Sequence, residues 1–305
     1  MNTVTIFGLT FNISPVAFEL PILGGWSVYW YGIIIALGVL SALAYGIKNG
    51  NRFGINPDHI FDSFLVVLPC SILSARAYYI IFDPSGSSFS DFFNFKDGQG
   101  FSGLAIYGGV IGAVITIFIM QRIKKFNILA ALDVTAVGFL IGQGIGRWGN
   151  FFNQEAYGTF TGSDWFGMTG NVIAREMGSR DLVHPCFLYE SLWCIVGAVV
   201  LHYFSKKRKF KGQIALMYGA WYGFERTFIE LLRTDSLMLG PFKVSSLLSA
   251  VLCITCTVLL IILFKRTKEK EQSYEPVFSD VDEITKTGEN EVIQDNIPYE
   301  KEREN

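Results

Sequence analysis

Long apolar runs separated by short basic stretches set the pattern of hydrophobic and polar positions along this chain. A membrane-spanning helix needs about 20 mostly apolar residues. By that measure the sequence predicts seven, roughly Val28 to Ile47, Ile60 to Ile81, Gly103 to Met120, Ile128 to Ile145, Cys186 to Phe204, Gly212 to Leu232 and Val244 to Phe264. The third is rich in glycine, and the sixth carries Glu225, Arg226 and Glu230. Ahead of the first run, Glu19, Pro21 and Gly24 interrupt the apolar character, and no basic leader with a small-residue cleavage site is present. That stretch is expected to stay as an interfacial segment.

Lysine and arginine place the loops, because cytoplasmic loops hold the excess of positive charge. Lys48 and Arg52, then Arg122, Lys124 and Lys125, then Lys206 to Lys211 fill the first, third and fifth connections, and Lys265, Arg266, Lys268 and Lys270 follow the last helix. These are expected inside, with the N-terminus outside and the C-terminus cytoplasmic. The long connections from Phe82 to Ser102 and from Arg147 to Pro185 then face outward, and the second holds a stretch around Val172, Ile173 and Ala174 long enough for a small extracytoplasmic element. The expected class is an all-α polytopic membrane protein of about seven transmembrane helices. A transmembrane domain is expected over residues 1–267, and an acidic cytoplasmic tail, whose composition predicts disorder, over residues 268–305.

Composition narrows the function classes. Half of the 305 residues are hydrophobic, 17% are charged, and mean hydropathy is +0.36, which excludes an ordinary soluble domain. No basic patch with interleaved aromatics suggests nucleic acid. The five cysteines lie in or beside apolar runs without metal spacing and read as packing residues. Three scattered histidines offer no metal site, and there is no G-x-S-x-G elbow.

Chemistry gathers after the fourth run, where Gly146-Arg-Trp-Gly-Asn-Phe-Phe-Asn-Gln-Glu-Ala-Tyr-Gly158 sets Arg147, Asn150, Asn153 and Glu155 at the edge of hydrocarbon. A charge there is either a snorkelling side chain or a functional residue. The overlapping Gly144-x-Gly146-x-x-Gly149 is not a dinucleotide fingerprint, since neither the strand before it nor the acidic residue after it is in place. These glycines instead suit close helix packing and the exit of the chain from its helix. On the sixth helix Tyr222, Arg226 and Glu230 recur every four residues, with Arg233 a turn beyond, so all four share one face. Arg226 and Glu230 read either as a mutually neutralising pair or as part of a site. Arg147, Arg226 and Arg233 all fall toward the outer side, and three forked guanidiniums suit a phosphate.

Taken in order, Trp30-Tyr-Gly, Tyr107-Gly-Gly-x-x-Gly112, the Gly146 to Gly158 string, His184-Pro-x-x-Leu-Tyr-Glu190 and Glu225-Arg-x-x-x-Glu-x-x-Arg233 resemble the bacterial prolipoprotein diacylglyceryl transferases. The resemblance runs from the first helix to the seventh. It implies transfer of the diacylglyceryl group of phosphatidylglycerol to the lipobox cysteine of a preprolipoprotein in the cytoplasmic membrane, with release of glycerol phosphate and no metal or soluble cofactor. It implies catalytic roles for Arg147, Glu155, Arg226 and Tyr107, and substrate-binding roles for Tyr31, Asn150, Gly158, Tyr222 and Arg233. Many members carry histidine where this chain has Tyr107, which leaves the general base between Tyr107 and Glu155. The competing reading of the same intramembrane arginines is a lipid or anion transporter.

Overall fold

A computed structural model describes residues 2–21, 26–82, 104–234, 238–239 and 242–273. Residues up to Ile262 form one compact unit, and those from Leu263 onward a second, of which the end of the last helix is described. Seven long helices carry the fold: α1 (Trp30–Phe53), α2 (Pro57–Phe82), α3 (Ile106–Lys124), α4 (Ile128–Asn153), α6 (Cys186–Ser205), α7 (Gln213–Leu232) and α8 (Val244–Ser273). Six of them are long and apolar enough to cross a membrane. The other, α7, is as long as α6 but includes Glu225, Arg226 and Glu230 in every membrane-length window. All seven predicted helices are present.

Helix α4 lies at the centre. Its Ala130, Val134, Val137 and Leu140 are buried in one apolar cluster with Phe53, Met120, Leu201 and Ile214, drawn from four neighbouring helices. Against α1 the approach is backbone to backbone. A Cβ built on Gly38 would stand 2.9 Å from the carbonyl oxygen of Gly142, and Gly138 faces Ala42 one turn away. Small residues at this four-residue spacing let membrane helices touch along their axes. The glycines following Tyr107 serve the same end: Gly109 accepts a hydrogen bond from Ser71 Oγ at 2.8 Å, and Gly112 packs on Ser74. They seat α3 on α2.

One end of the bundle is pinned by polar contacts. The buried carboxylate of Asp133, at the start of α4, accepts from Arg208 Nη1 (2.8 Å) and from the backbone N–H groups of Gly212 (2.8 Å) and Ala215 (2.9 Å). It thereby satisfies free donors at the N-terminus of α7. Arg208 also reaches the Phe53 carbonyl that ends α1, and Lys124 of α3 pairs with Asp62 of α2 at 2.5 Å. Most of the basic residues of the connections sit at this end.

Three expectations are corrected. Helix α4 does not stop near Ile145; it runs on for two turns to Asn153, so Gly144, Gly146 and Gly149 lie within it and the chain leaves only at Gln154, in a left-handed conformation (φ 55°). The N-terminal segment holds strands: β1 (Asn2–Ile6) pairs with β2 (Leu9–Ile13) and with β5 (Met168–Gly170), while β3 (Val16–Leu20) pairs with β4 (Trp26–Tyr29). Helix α8 continues past Lys268 to Ser273, so the expected tail lies outside the described residues only from residue 274. The connection from residue 83 to 103 also lies outside them. The element expected around Ile173 is the short helix α5 (Asn171–Met177). A second apolar cluster of Val4, Phe151, Met168, Ile173, Val183 and Phe187 ties β1, β5 and α5 to the ends of α4 and α6, opposite the pinned end.

Candidate active site

At that second end, three arginines meet on one carboxylate. Glu190 stands one turn into α6, on the face that also buries Phe187, Ser191, Cys194, Gly197 and Leu201. This three-and-four spacing turns it into the bundle. One carboxylate oxygen, Oε2, pairs with Arg147 Nη2 of α4 and with Arg226 Nη1 of α7 (3.3 Å), and Oε1 lies 3.8 Å from Arg233 Nη1. Arg226 is held from the other side by Glu230 Oε2 at 2.7 Å, one helical turn along. Both carboxylates are at most 3% exposed, and the guanidiniums 12 to 22%. Trp148 donates to Ser191 Oγ (3.2 Å), and Ser191 donates to the Gly144 carbonyl (2.7 Å). These two bonds join the residues next to Arg147 and Glu190, so the pair is fixed by the contact between α4 and α6.

Arg233 follows the last residue of α7, and its strand-like backbone makes an isolated bridge to Gly158. Lys243 holds that helix end, donating Nζ to the carbonyls of Glu230 (2.8 Å), Leu231 (3.2 Å) and Arg233 (2.6 Å), as a cation at a helix C-terminus does. Gly158 is a crossing point: a Cβ there would stand 2.8 Å from His184 Cβ and 2.9 Å from Cys186 Sγ. It brings the connection after α4 against the ends of α6 and α7.

A smaller polar group lies at the end of α4. Glu155 Oε1 accepts from Asn150 Nδ2 (2.8 Å) and Asn153 Nδ2 (3.2 Å), and Glu155 is exposed. The ring of Tyr31 packs on Gly149, within reach of the charges of Glu155 and Arg147. Tyr222 stacks on Tyr218 (centroids 5.8 Å apart) and lies within reach of the charges of Arg226 and Arg147.

The structure therefore gathers Arg147, Arg226, Arg233 and Tyr222 at one place, with Tyr31 beside them and Asn150 and Glu155 at its margin. Tyr107 is not drawn in. It is 75% exposed at the start of α3 and shares no hydrogen bond, ion pair or ring contact with the cluster among the described residues. Glu190 is the hub, although the sequence presents it only as the end of the His184 string. Its signal is the rule already applied to Arg147, an ionisable residue inside an apolar run. Gln154 is a second residue that motif reading leaves without a role. It is fully buried, and its Oε1 accepts from Val172 N at 2.9 Å, fastening α5 to the end of α4.

The family model described as prolipoprotein diacylglyceryl transferase matches residues 15–262. The chain belongs to this family. Among curated relatives it is similar to phosphatidylglycerol--prolipoprotein diacylglyceryl transferase 1 of Clostridium perfringens, with 42% identity over 264 residues, 85% of this chain and 98% of the relative. It is 38% identical over 255 residues to the enzyme of that name from Bacillus cytotoxicus, covering 83% and 93% of the two chains. The Listeria monocytogenes enzyme matches at 39% over 269 residues, 86% and 93%. The span matched by the prolipoprotein diacylglyceryl transferase model contains every residue of the arginine cluster and leaves out β1 and β2.

Proposed function

We propose that this protein transfers the diacylglyceryl group of phosphatidylglycerol to the thiol of the lipobox cysteine of a preprolipoprotein. The observation that carries the reading is the convergence of Arg147, Arg226 and Arg233 on Glu190. Three guanidiniums against Glu190 and Glu230 leave one positive charge, the complement of one phosphodiester. Each guanidinium has five donors in a rigid fork, so a contact with Glu190 leaves others for phosphate oxygens.

In this mechanism the arginines orient the headgroup and stabilise the charge that grows as it leaves. The cysteine thiolate attacks the glyceryl carbon bonded to the phosphate ester oxygen. A C–S bond forms, the C–O bond breaks with its electron pair going to oxygen, and glycerol phosphate departs. The proton lost by the thiol passes to a base, and Glu155, held by two asparagines near Tyr31, is better placed for it than Tyr107. Thiols are activated by positive surroundings, which the arginine cluster supplies. Tyr31, Tyr222 and Asn150 line the approach, and Gly158 keeps the close crossing that sets Arg233.

In the same reading the chain is a multi-pass protein of the bacterial cytoplasmic membrane, with the arginine end outward and the basic, Asp133-pinned end in the cytoplasm. The test is transfer by the purified protein in phosphatidylglycerol vesicles carrying a lipobox peptide, followed by peptide mass and by released glycerol phosphate. A diacylglyceryl mass gain that requires the phosphatidylglycerol headgroup is expected. Arg226→Ala should slow it roughly 100- to 1000-fold, the usual loss when one charge-stabilising donor is removed. Folded Arg226→Ala protein with near-normal turnover overturns the clamp, and a folded parent that yields no adduct overturns the transferase reading.

A further inference from the structure

The seam between α6 and α7 opens beside the arginine cluster into a cavity of about 310 Å³, lined by Tyr189, Trp193, Phe224, Glu225, Phe228 and Ile229. Phe224 and Phe228 are half exposed, so the cavity gives onto the outer surface of the bundle. It is closed on one side by a reciprocal lock: Trp193 Nε1 donates to the Trp221 carbonyl and Trp221 Nε1 to the Trp193 carbonyl, both at 3.2 Å, with the rings stacked 4.6 Å apart.

Glu225 is the one ionisable side chain among these walls besides the Tyr189 phenol. It is 6% exposed, its Oε1 is buried without a hydrogen-bond partner, and no cation among the described residues comes within ion-pair distance. Arg226, its neighbour in sequence, is already engaged by Glu190 and Glu230. A buried polar oxygen without a partner is costly, and among the described residues none supplies a hydrogen bond to Glu225 Oε1.

We infer that this cavity is an ester-reading subsite, in which the Glu225 carboxyl donates a hydrogen bond to an acyl ester carbonyl of the glycerophospholipid whose phosphate the arginines hold. The inference rests on the transferase reading. An occupant must be hydrocarbon to suit five apolar or aromatic walls, must offer one acceptor to Glu225, and must carry that acceptor a few bonds from a phosphate. Adjacent residues project about 100° apart around a helix. Arg226 and Glu225 therefore address neighbouring faces of α7, as the phosphate and the ester of one lipid require.

The test compares ordinary diester phosphatidylglycerol with its diether analogue, which keeps headgroup and chains but lacks the carbonyls, as the lipid in the transfer assay. For the parent protein the apparent KM, as mole fraction in mixed micelles, is expected to be roughly five- to tenfold higher for the diether, the effect of one lost hydrogen bond to a buried donor. In Glu225→Leu the two lipids should become equivalent, while Glu225→Gln, whose amide also donates, should keep most of the preference. Equal KM values in the parent, or an unchanged ratio in Glu225→Leu, overturn the subsite while the transferase reading stands. Because the parent ratio is read without any substitution, misfolding of a variant does not rescue the proposal. No transfer from the diester by folded parent overturns the transferase reading and the subsite with it.

Discussion

Glu190 decides how the arginine cluster is held. A carboxylate only 2% exposed is bound on three sides by guanidiniums from α4, α7 and the residue after α7. Taking away one partner of a buried charge group leaves the others uncompensated, which costs about 3–5 kcal/mol. Glu190→Ala is therefore expected to lower the thermal unfolding temperature in detergent as well as transfer. Glu190→Gln, which keeps the shape and loses the charge, should melt closer to the parent and still transfer poorly. A Glu190→Ala protein as stable and active as the parent removes Glu190 from the centre of the site. The contrast with Glu155 is instructive: that exposed carboxylate is held by two amides and no arginine, so Glu155→Gln should leave stability within about 0.5 kcal/mol, as surface changes do, and show its effect in turnover alone.

At the scale of elements, the contact between α1 and α4 runs backbone to backbone, and it is asymmetric. A Cβ on Gly38 meets backbone oxygen at 2.9 Å, whereas one on Gly142 has its nearest neighbour at 3.4 Å. Gly38→Ala should therefore destabilise by about 1–3 kcal/mol through overpacking. Gly142→Ala should be neutral or slightly stabilising, because alanine is favoured over glycine in a helix by about 1 kcal/mol. Thermal melting of the two variants side by side checks this, and equal melting temperatures refute the asymmetry. The seven helices were legible because hydrocarbon thickness sets their length, and even the charged α7 showed itself through the spacing of Tyr222, Arg226 and Glu230. The end of α4 was not: Arg147, Asn150 and Asn153 look like loop residues when hydropathy alone draws the boundary, yet each sits on a helix whose surroundings supply polar partners. The pairing of β1 with β5 joins residues more than 160 positions apart, and no local pattern announces it. The arginines were readable as charges in apolar runs; their common partner Glu190 was not, since partnership is a property of packing.

For the whole molecule, the two polar ends differ in kind. One carries the exposed lysines and the Asp133 contacts, the other the arginines and the small β layer. If the arginine end faces outward, single cysteines placed by Asp164→Cys and Lys125→Cys in a background lacking the native thiols should react differently with a membrane-impermeant maleimide. The first should label in intact cells and the second only after lysis; the opposite pattern reverses the proposed orientation.

Asp133 also acts as an angular index for the helix that carries Arg226 and Glu230. By holding the backbone N–H groups of Gly212 and Ala215, it fixes the rotational setting at which α7 begins. Each residue advances a helix by about 100°, so a slip of one position at this pin would turn every later side chain by that angle. Arg226 would swing away from Glu190, and Glu225 or Thr227, according to the direction of the slip, would move toward its place. A contact eleven residues from Arg226, at the far end of the helix, thus selects which face of α7 meets the site.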